Sequence, residues 1–222
     1  MDAVLELINV LHEPAAVFER IRERPRVLVP FLVIVVLLLA IAWFMRPMYD
    51  QALRGMMAEM PPERAAQMDP SRQTMLIFIF TPINIFISLL IGAGLLWVLT
   101  SLTGSDARYR LLLSVLTYAY VTFVLMSIVT ALIVFVRGPE TVTTFRDLRP
   151  PIGLDLVAPG ATGFLGALLN AINPFSIWGV WLTGVGIAVT HRISRGTGLV
   201  VASIAFLVGA SISALLQSIQ GM

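Results

Sequence analysis

The 222-residue chain contains no cysteine and no lysine, and only 13% of its residues are charged. The missing thiols exclude a disulfide framework, a thiolate metal site, an iron–sulfur cluster and a cysteine nucleophile. All 15 basic residues are arginines and 13 acidic residues nearly balance them, so the net charge is only +2. This charge gives no polycationic field, and we expect no nucleic-acid partner.

Hydrophobic residues make up 58% of the chain, and the mean hydropathy is +0.89. A soluble globular domain has a much less apolar composition. The lysine-free, Arg- and Ala-rich usage is typical of a GC-rich bacterial genome, and no asparagine starts an Asn-x-Ser/Thr sequon. We therefore expect a protein of the bacterial cytoplasmic (inner) membrane.

Five intervals of the chain carry almost no charge. Crossing a hydrocarbon core about 30 Å thick takes about 20 apolar residues as a helix, and every backbone amide there must bond within its own segment. The intervals predict an all-α, polytopic integral membrane protein with five transmembrane helices in a single 27–222 domain. The predicted spans are 27–45, 75–100, 111–136, 175–190 and 197–217, with extramembrane loops at 46–74 and 137–161.

Residues 1–26 form an amphipathic segment before the first span. Apolar residues recur on one helical face, and four arginines lie opposite or beside it: Arg20, Arg22, Arg24 and Arg26. This pattern predicts an interfacial helix whose arginines bind lipid headgroups. The alternative is a helix packed on the protein's own loops. Five acidic residues and the lack of an Ala-x-Ala-like end argue against a signal peptide, so we expect the segment to stay attached.

The distribution of arginine favours one orientation in the membrane. Eight arginines lie in the 42 residues of 1–26, 101–110 and 191–196, whereas seven lie in the longer loops of the other side. Basic residues in short loops resist translocation. We expect a cytoplasmic N-terminus and a C-terminus on the opposite side.

The 46–74 loop is rich in methionine, with seven of the ten methionines between Met45 and Met75. A predicted helix before Pro61 and Pro62 carries a soft apolar surface that could contact another membrane protein. A Cu(I) site and plain loop packing are the alternatives, although cysteine and clustered histidine are missing. The candidate partner-contact residues are Met48, Leu53, Met56, Met57 and Met60.

The predicted spans offer little chemistry. They contain no Asp, Glu, His or Arg, which ion-coupled carriers, proton relays and voltage sensors place at membrane depth. No nucleophile elbow or dinucleotide-binding fingerprint is present, and His191 is interpreted as a helix-end histidine. We expect no catalytic activity, no cofactor and no metal.

Helix breakers and small residues are the remaining features of the spans. Pro82 predicts a kink in span two, and Asn84 or Thr81 could satisfy a freed backbone group. Asn170, Asn173 and Pro174 predict a helix break that is either architectural or a ligand site, with Asn173 as N-cap.

A stripe of small residues in span five predicts close helix packing. We expect this packing mainly within the subunit, with a homodimer face as the alternative. The stripe consists of Gly198, Ala202, Ala205, Gly209 and Ser213.

The C-terminal third resembles the last two spans of bacterial members of the Yip domain family, the Ypt/Rab-interacting membrane proteins. The matching runs are Asn173 to Trp178, Leu182 to Ile187 and Ile193 to Gly196, and the entry pattern from Pro14 to Pro30 is also similar. The resemblance implies five spans and a cytoplasmic N-terminus. The Asp-Leu-x-Gly-Pro signature of eukaryotic relatives is missing, so small-GTPase binding does not carry over.

Together these features favour a non-catalytic scaffold, assembly factor or accessory subunit of a membrane protein complex. The partners expected are other membrane proteins and lipid headgroups, with a homo-oligomer possible. The alternative is a passive carrier or channel for a small neutral or lipidic substrate, built around Asn84 and the break from Asn170 to Pro174.

Overall fold

The computed structural model describes residues 3–66 and 68–219. These residues form α-helices and two 3-10 turns, with no strand among them. The helices are α1 (Ala3–Asn9), α2 (Pro14–Glu23), α3 (Leu28–Phe44), α4 (Arg46–Ala58), α5 (Pro62–Ala65), α6 (Pro70–Ser101), α7 (Tyr109–Ala119), α8 (Val121–Arg137), α9 (Gly163–Ala171), α10 (Pro174–His191) and α11 (Arg195–Ile219), and the 3-10 turns are Pro139–Thr141 and Leu154–Val157.

Three stretches of the described chain are long and apolar enough to cross a bilayer unaided. They are Met75–Ser101 within α6, Tyr109–Arg137 formed by α7 and α8, and α11. Two bent pairs, α3 with α4 at 60° and α9 with α10 at 61°, bring the number to five when each pair is taken as one span. The chain is therefore an all-α, polytopic membrane protein, as its composition predicts.

The segments between the spans gather at two opposite ends of the bundle. At one end the 102–108 loop meets the end of α10, where the Arg108 backbone N–H donates to His191 Nε2 at 3.2 Å. At the other end α4 packs on Thr143, and Arg149 donates a hydrogen bond to Gln217 near the end of α11. This grouping is the one expected for a chain that crosses the membrane five times.

The N-terminal helices pack on the bundle itself. Val17, Phe18 and Ile21 of α2 are fully buried, in one core with side chains of α3, α7 and α10. Phe18 fits because Gly186 has no side chain, since a Cβ there would lie 3.0 Å from Phe18 Cζ. The predicted interfacial position of this apolar face is wrong for α2. Amphipathic periodicity predicts that the apolar face is covered, but it does not distinguish cover by lipid from cover by protein.

Helices α10 and α11 cross closely through glycines. A Cβ on Gly198 would collide with the carbonyl oxygen of Gly184, so the two backbones touch at this point. The first three residues of the predicted stripe pack within the subunit: Gly198 and Ala202 are buried, and Ala205 packs against the cluster that contains Ala202. Gly209 is exposed, and a Cβ there would meet nothing within 4 Å. The expected intramolecular contact of Gly209 is wrong because α11 buries Ala210 instead.

Gly198→Ala should therefore lower the stability of the folded bundle, whereas Gly209→Ala should not. The added methyl group at 198 must push apart two backbones, which costs about 1–3 kcal/mol. At 209 the methyl group enters open space and improves helix propensity. Thermal unfolding of both variants in the same detergent checks this expectation. Equal melting temperatures would show that the glycine crossing does not hold the two helices.

Candidate interaction sites

Helix α4 packs against one end of the bundle. A second hydrophobic cluster, separate from the main core, joins α4 to α8 and to the segment after it. Its buried members are Met45, Met48, Ala52, Ala131, Val134, Val142 and Leu148. Gly55 has no room for a side chain because the Thr143 carbonyl lies against it. We call α4 together with residues 139–149 the α4 platform.

The platform uses part of the predicted methionine surface for its own packing. Met48 and Leu53 are each only 3% exposed, so their assignment to an exposed contact surface is wrong. Met56, Met57 and Met60 are half-buried and keep part of their side chains accessible. Met48 is buried because Val142 and Leu148 fold back onto α4, a contact that the loop composition does not reveal.

A tight turn holds the second half of the platform. Asp147 accepts hydrogen bonds of 2.8–3.1 Å from the backbone N–H and hydroxyl groups of both Thr143 and Thr144. Partial burial opposes ionisation, but these four donors outweigh it and lower the pKa of Asp147. The turn therefore stays formed at neutral pH and keeps Thr143 against α4.

The break between α9 and α10 is held by side chains that hydrogen-bond backbone groups on both sides of it. Asn173 Oδ1 accepts from the backbone N–H groups of Phe175 and Ser176, at 3.1 and 3.0 Å, and Ser176 Oγ accepts from the Asn173 N–H. Asn173 Nδ2 also donates to the carbonyl of Asn170, and Asn173 is buried. Pro174 opens α10 at a position where its missing N–H costs nothing. The break is thus an architectural joint whose polar groups are satisfied.

Asn170 belongs to the same joint rather than to an open cavity. Its Nδ2 donates to Asp155 Oδ2 at 2.8 Å, and Asp155 Oδ1 accepts from the Gly153 N–H at 2.9 Å. These bonds tie the second 3-10 turn to the end of α9.

Span two continues through its proline. α6 is one helix across Pro82, and the Thr81 hydroxyl donates to the Ile77 carbonyl at 2.7 Å. Asn84 is exposed on the outer side of α6, beside the exposed Ile83 and Ile87. Its amide makes no hydrogen bond to the residues that the structure describes. The expected role of Asn84 in satisfying the freed backbone is therefore not observed.

An ionic contact in the core escaped the sequence reasoning. Glu6 is only 5% exposed and accepts hydrogen bonds from Arg20 Nε at 3.2 Å and from the Tyr118 hydroxyl at 3.1 Å. The carboxylate thereby links α1, α2 and α7. The available signal was a glutamate between two leucines of α1 and a tyrosine in an apolar span, but nothing in the sequence pairs residues 112 positions apart.

A basic cleft of about 370 Å³ lies at the bundle end opposite the α4 platform. Its lining residues are Arg22, Asp106, Arg108, Thr190, His191 and Arg192, and we call it the arginine cleft. It joins α2, the 102–108 loop and the turn between α10 and α11. Of the predicted N-terminal arginine cluster, Arg22 lines this cleft, and Arg20, Arg24 and Arg26 line a neighbouring one of about 250 Å³. Among the described residues no group of three or more His, Asp or Glu is placed to hold a metal ion.

The bent spans, the N-terminal helices packed on the bundle and the polar sites at its two ends define a polytopic membrane protein. The model of the Yip1 domain family matches residues 8–216, and the chain belongs to this family. The resemblance of its C-terminal third is thereby confirmed. Membrane protein YknW of Bacillus subtilis is 28% identical over 226 aligned positions, which cover 97% of this chain and 92% of YknW. No solved structure matches the chain.

Tyr118→Phe should destabilise the protein by about 1–3 kcal/mol, because it leaves the buried Glu6 carboxylate short of one donor. Tyr109→Phe is the matched control on the same helix. Its hydroxyl donates to the Leu90 carbonyl from an exposed position, where water can replace it. Thermal unfolding in detergent compares the two variants. Equal losses would mean that the Glu6 contact does not stabilise the N-terminal helices.

Proposed function

We propose that the protein is a non-catalytic scaffold, assembly factor or accessory subunit of a membrane protein complex. The observation that carries this proposal is the α4 platform, a helix packed on a second apolar cluster outside the main core, with an accessible methionine surface. A preformed surface loses little conformational entropy on binding, and methionine side chains adapt to the shape of a partner. In this proposal Met56, Met57 and Met60 contact the partner.

The exposed amide of Asn84 supports contact with other membrane helices. An amide in hydrocarbon is unfavourable unless it is hydrogen-bonded, and asparagine side chains bond across helix interfaces in membranes. A neighbouring helix that covers this side of α6 would satisfy the amide. The exposed Gly209 allows a similar close approach on α11.

The alternative of a passive carrier receives less support from the same residues. Its proposed binding groups were Asn84 and the break from Asn170 to Pro174. Asn170 and Asn173 bond within the joint, and Asn84 lies on the outer side of α6. A carrier site would need unbonded polar groups facing an internal path.

In this proposal the protein lies in the bacterial inner membrane with a cytoplasmic N-terminus. The arginine cleft then faces the cytoplasm and the α4 platform faces the opposite side. The proposal rests on the higher arginine density of the short loops at the cleft end.

Replacing Met56, Met57 and Met60 together with serine should abolish co-purification of the partner. The expected reason is loss of apolar contact area, while the buried Met48 and Ala52 keep α4 in place. The measurement is quantitative mass spectrometry of proteins recovered with the tagged chain at native expression. Thermal unfolding of the variant should stay close to that of the wild type.

The matched control replaces Val4, Leu5 and Ile8 with serine. These three residues are exposed apolar side chains on α1, at the other end of the bundle. We expect this variant to retain the partner that the platform variant loses. Retention of the partner by both variants, or recovery of no partner with the wild type, would contradict the proposed function.

The orientation can be tested directly because the chain has no native cysteine. Val157→Cys should react with an impermeant maleimide added outside intact spheroplasts, whereas Leu102→Cys should react only after permeabilisation. Val157 is 81% exposed and Leu102 is 78% exposed, so neither position is protected by burial. A difference in labelling would therefore report the side of the membrane. The reverse labelling pattern would show that the N-terminus lies outside.

A further inference from the structure

We infer that the arginine cleft binds a phosphate-bearing anion, and that this anion is the headgroup of an anionic phospholipid. The inference concerns the end of the bundle opposite the α4 platform and does not depend on the proposed scaffold function. It rests on the charge of the cleft, on the bonding of His191, on the backbone of Arg192 and on the position of the cleft at the span ends.

The cleft concentrates positive charge that the chain does not neutralise. Arg22, Arg108 and Arg192 come from three separate parts of the fold and converge on one space. No carboxylate lies within ion-pair distance of any of the three among the described residues. Asp106 also lines the cleft, so two net positive charges remain. Guanidinium groups bind phosphate oxygens through paired, charge-assisted hydrogen bonds.

His191 organises the cleft without adding to its charge. Its Nε2 accepts the Arg108 backbone N–H at 3.2 Å, so this nitrogen carries no proton and the ring is neutral. Its Nδ1 lies 2.8 Å from the Thr190 hydroxyl, which donates to the Gly186 carbonyl at 2.6 Å. This chain of bonds ties the 102–108 loop to α10 and sets the distance between the loop's arginine and the arginine that follows His191.

Arg192 occupies a backbone conformation that suits glycine better. It ends α10 with φ of 54° and ψ of 39°, and it is the non-glycine residue with positive φ among those described. Helices commonly end on glycine in this conformation, because a side chain there is strained. An arginine at such a position indicates that its side chain has a function other than closing the helix.

The cleft lies at the level where lipid headgroups are found. Arg108 immediately precedes α7, and His191 is the last residue of α10. Trp97 Nε1 donates to the Ala107 carbonyl at 3.1 Å, so an exposed tryptophan of span two marks the same level. Tryptophan prefers the membrane–water interface. A lipid phosphate reaches this level without leaving the bilayer, whereas free phosphate must bind from solution.

The test measures binding of three probes to the purified, full-length protein in neutral detergent. They are short-chain phosphatidylglycerol, short-chain phosphatidylcholine and inorganic phosphate. We expect phosphatidylglycerol to bind more tightly than the other two, because it alone combines net negative charge with acyl chains. Arg192→Gly and Arg22→Gln should each weaken its binding by about tenfold, the effect of losing one charge-assisted hydrogen bond.

The variants separate binding from folding. Arg192→Gly should unfold at the same temperature as the wild type or higher, because glycine relieves the strained backbone. Arg110→Gln is the control, since Arg110 is an exposed arginine at the same end of the bundle that does not line the cleft. It removes the same charge and should leave binding almost unchanged.

Each outcome decides between the alternatives. Equal affinity for inorganic phosphate and phosphatidylglycerol, lost in the cleft variants, would keep the phosphate site but assign it to a soluble anion. Equal losses in Arg192→Gly and Arg110→Gln would overturn the inference, because general surface charge would then explain the binding. Failure of all three probes to bind would also overturn it.

Discussion

The packing of α2 against α7 and α10 determines the arrangement of one whole end of the molecule. Phe18 enters the bundle where Gly186 leaves room for its ring, and its neighbours on the same face are buried with it. With α2 fixed there, Arg20 reaches the Glu6 carboxylate and Arg22 reaches the arginine cleft. The N-terminal helices are therefore part of the membrane domain's core rather than a separate anchor.

The two ends of the bundle are built from different chemistry. At one end arginines from three segments surround a cleft, and a neutral histidine joins two of those segments. At the other end α4 rests on a second apolar cluster and is held by the turn at Asp147. The spans between them carry no Asp, Glu or Arg in their apolar intervals. In our account the protein acts through contacts at its ends and with neighbouring helices, and the spans hold those surfaces in place.

The spans, and the cap at the start of α10, could be predicted from the sequence because the physics behind them is local. A charge-free interval of about 20 residues is the length that a helix needs to cross the bilayer. The Asn173–Pro174 pair is a short-range signal for a helix start. Membership in the Yip1 domain family could likewise be recognised from short apolar runs.

Tertiary contacts could not be predicted, because they join residues that are far apart in the chain. Whether Met48 faces solvent depends on Val142 and Leu148, which lie 94 and 100 positions further along the chain. The contact of Glu6 with Tyr118 joins two residues that no local pattern relates. Gly209 illustrates the limit of periodicity, since a shift of one residue along α11 turns Ala210 inward and leaves the glycine exposed. Of the three arginines in the cleft, the sequence pattern singled out only Arg22. Arg108 and Arg192 come from a loop and a helix end far from it in the chain.

The most direct test of the account is site-specific photo-crosslinking in living cells of the native organism. A photoreactive amino acid replaces Met57 on the α4 platform in one strain and Leu102 at the opposite end in another. We predict a discrete crosslinked band from position 57, identified as a membrane protein by mass spectrometry, and no such band from position 102. A platform that yields no adduct, or the same adducts from both positions, would contradict the claim that the protein works by presenting α4 to a partner.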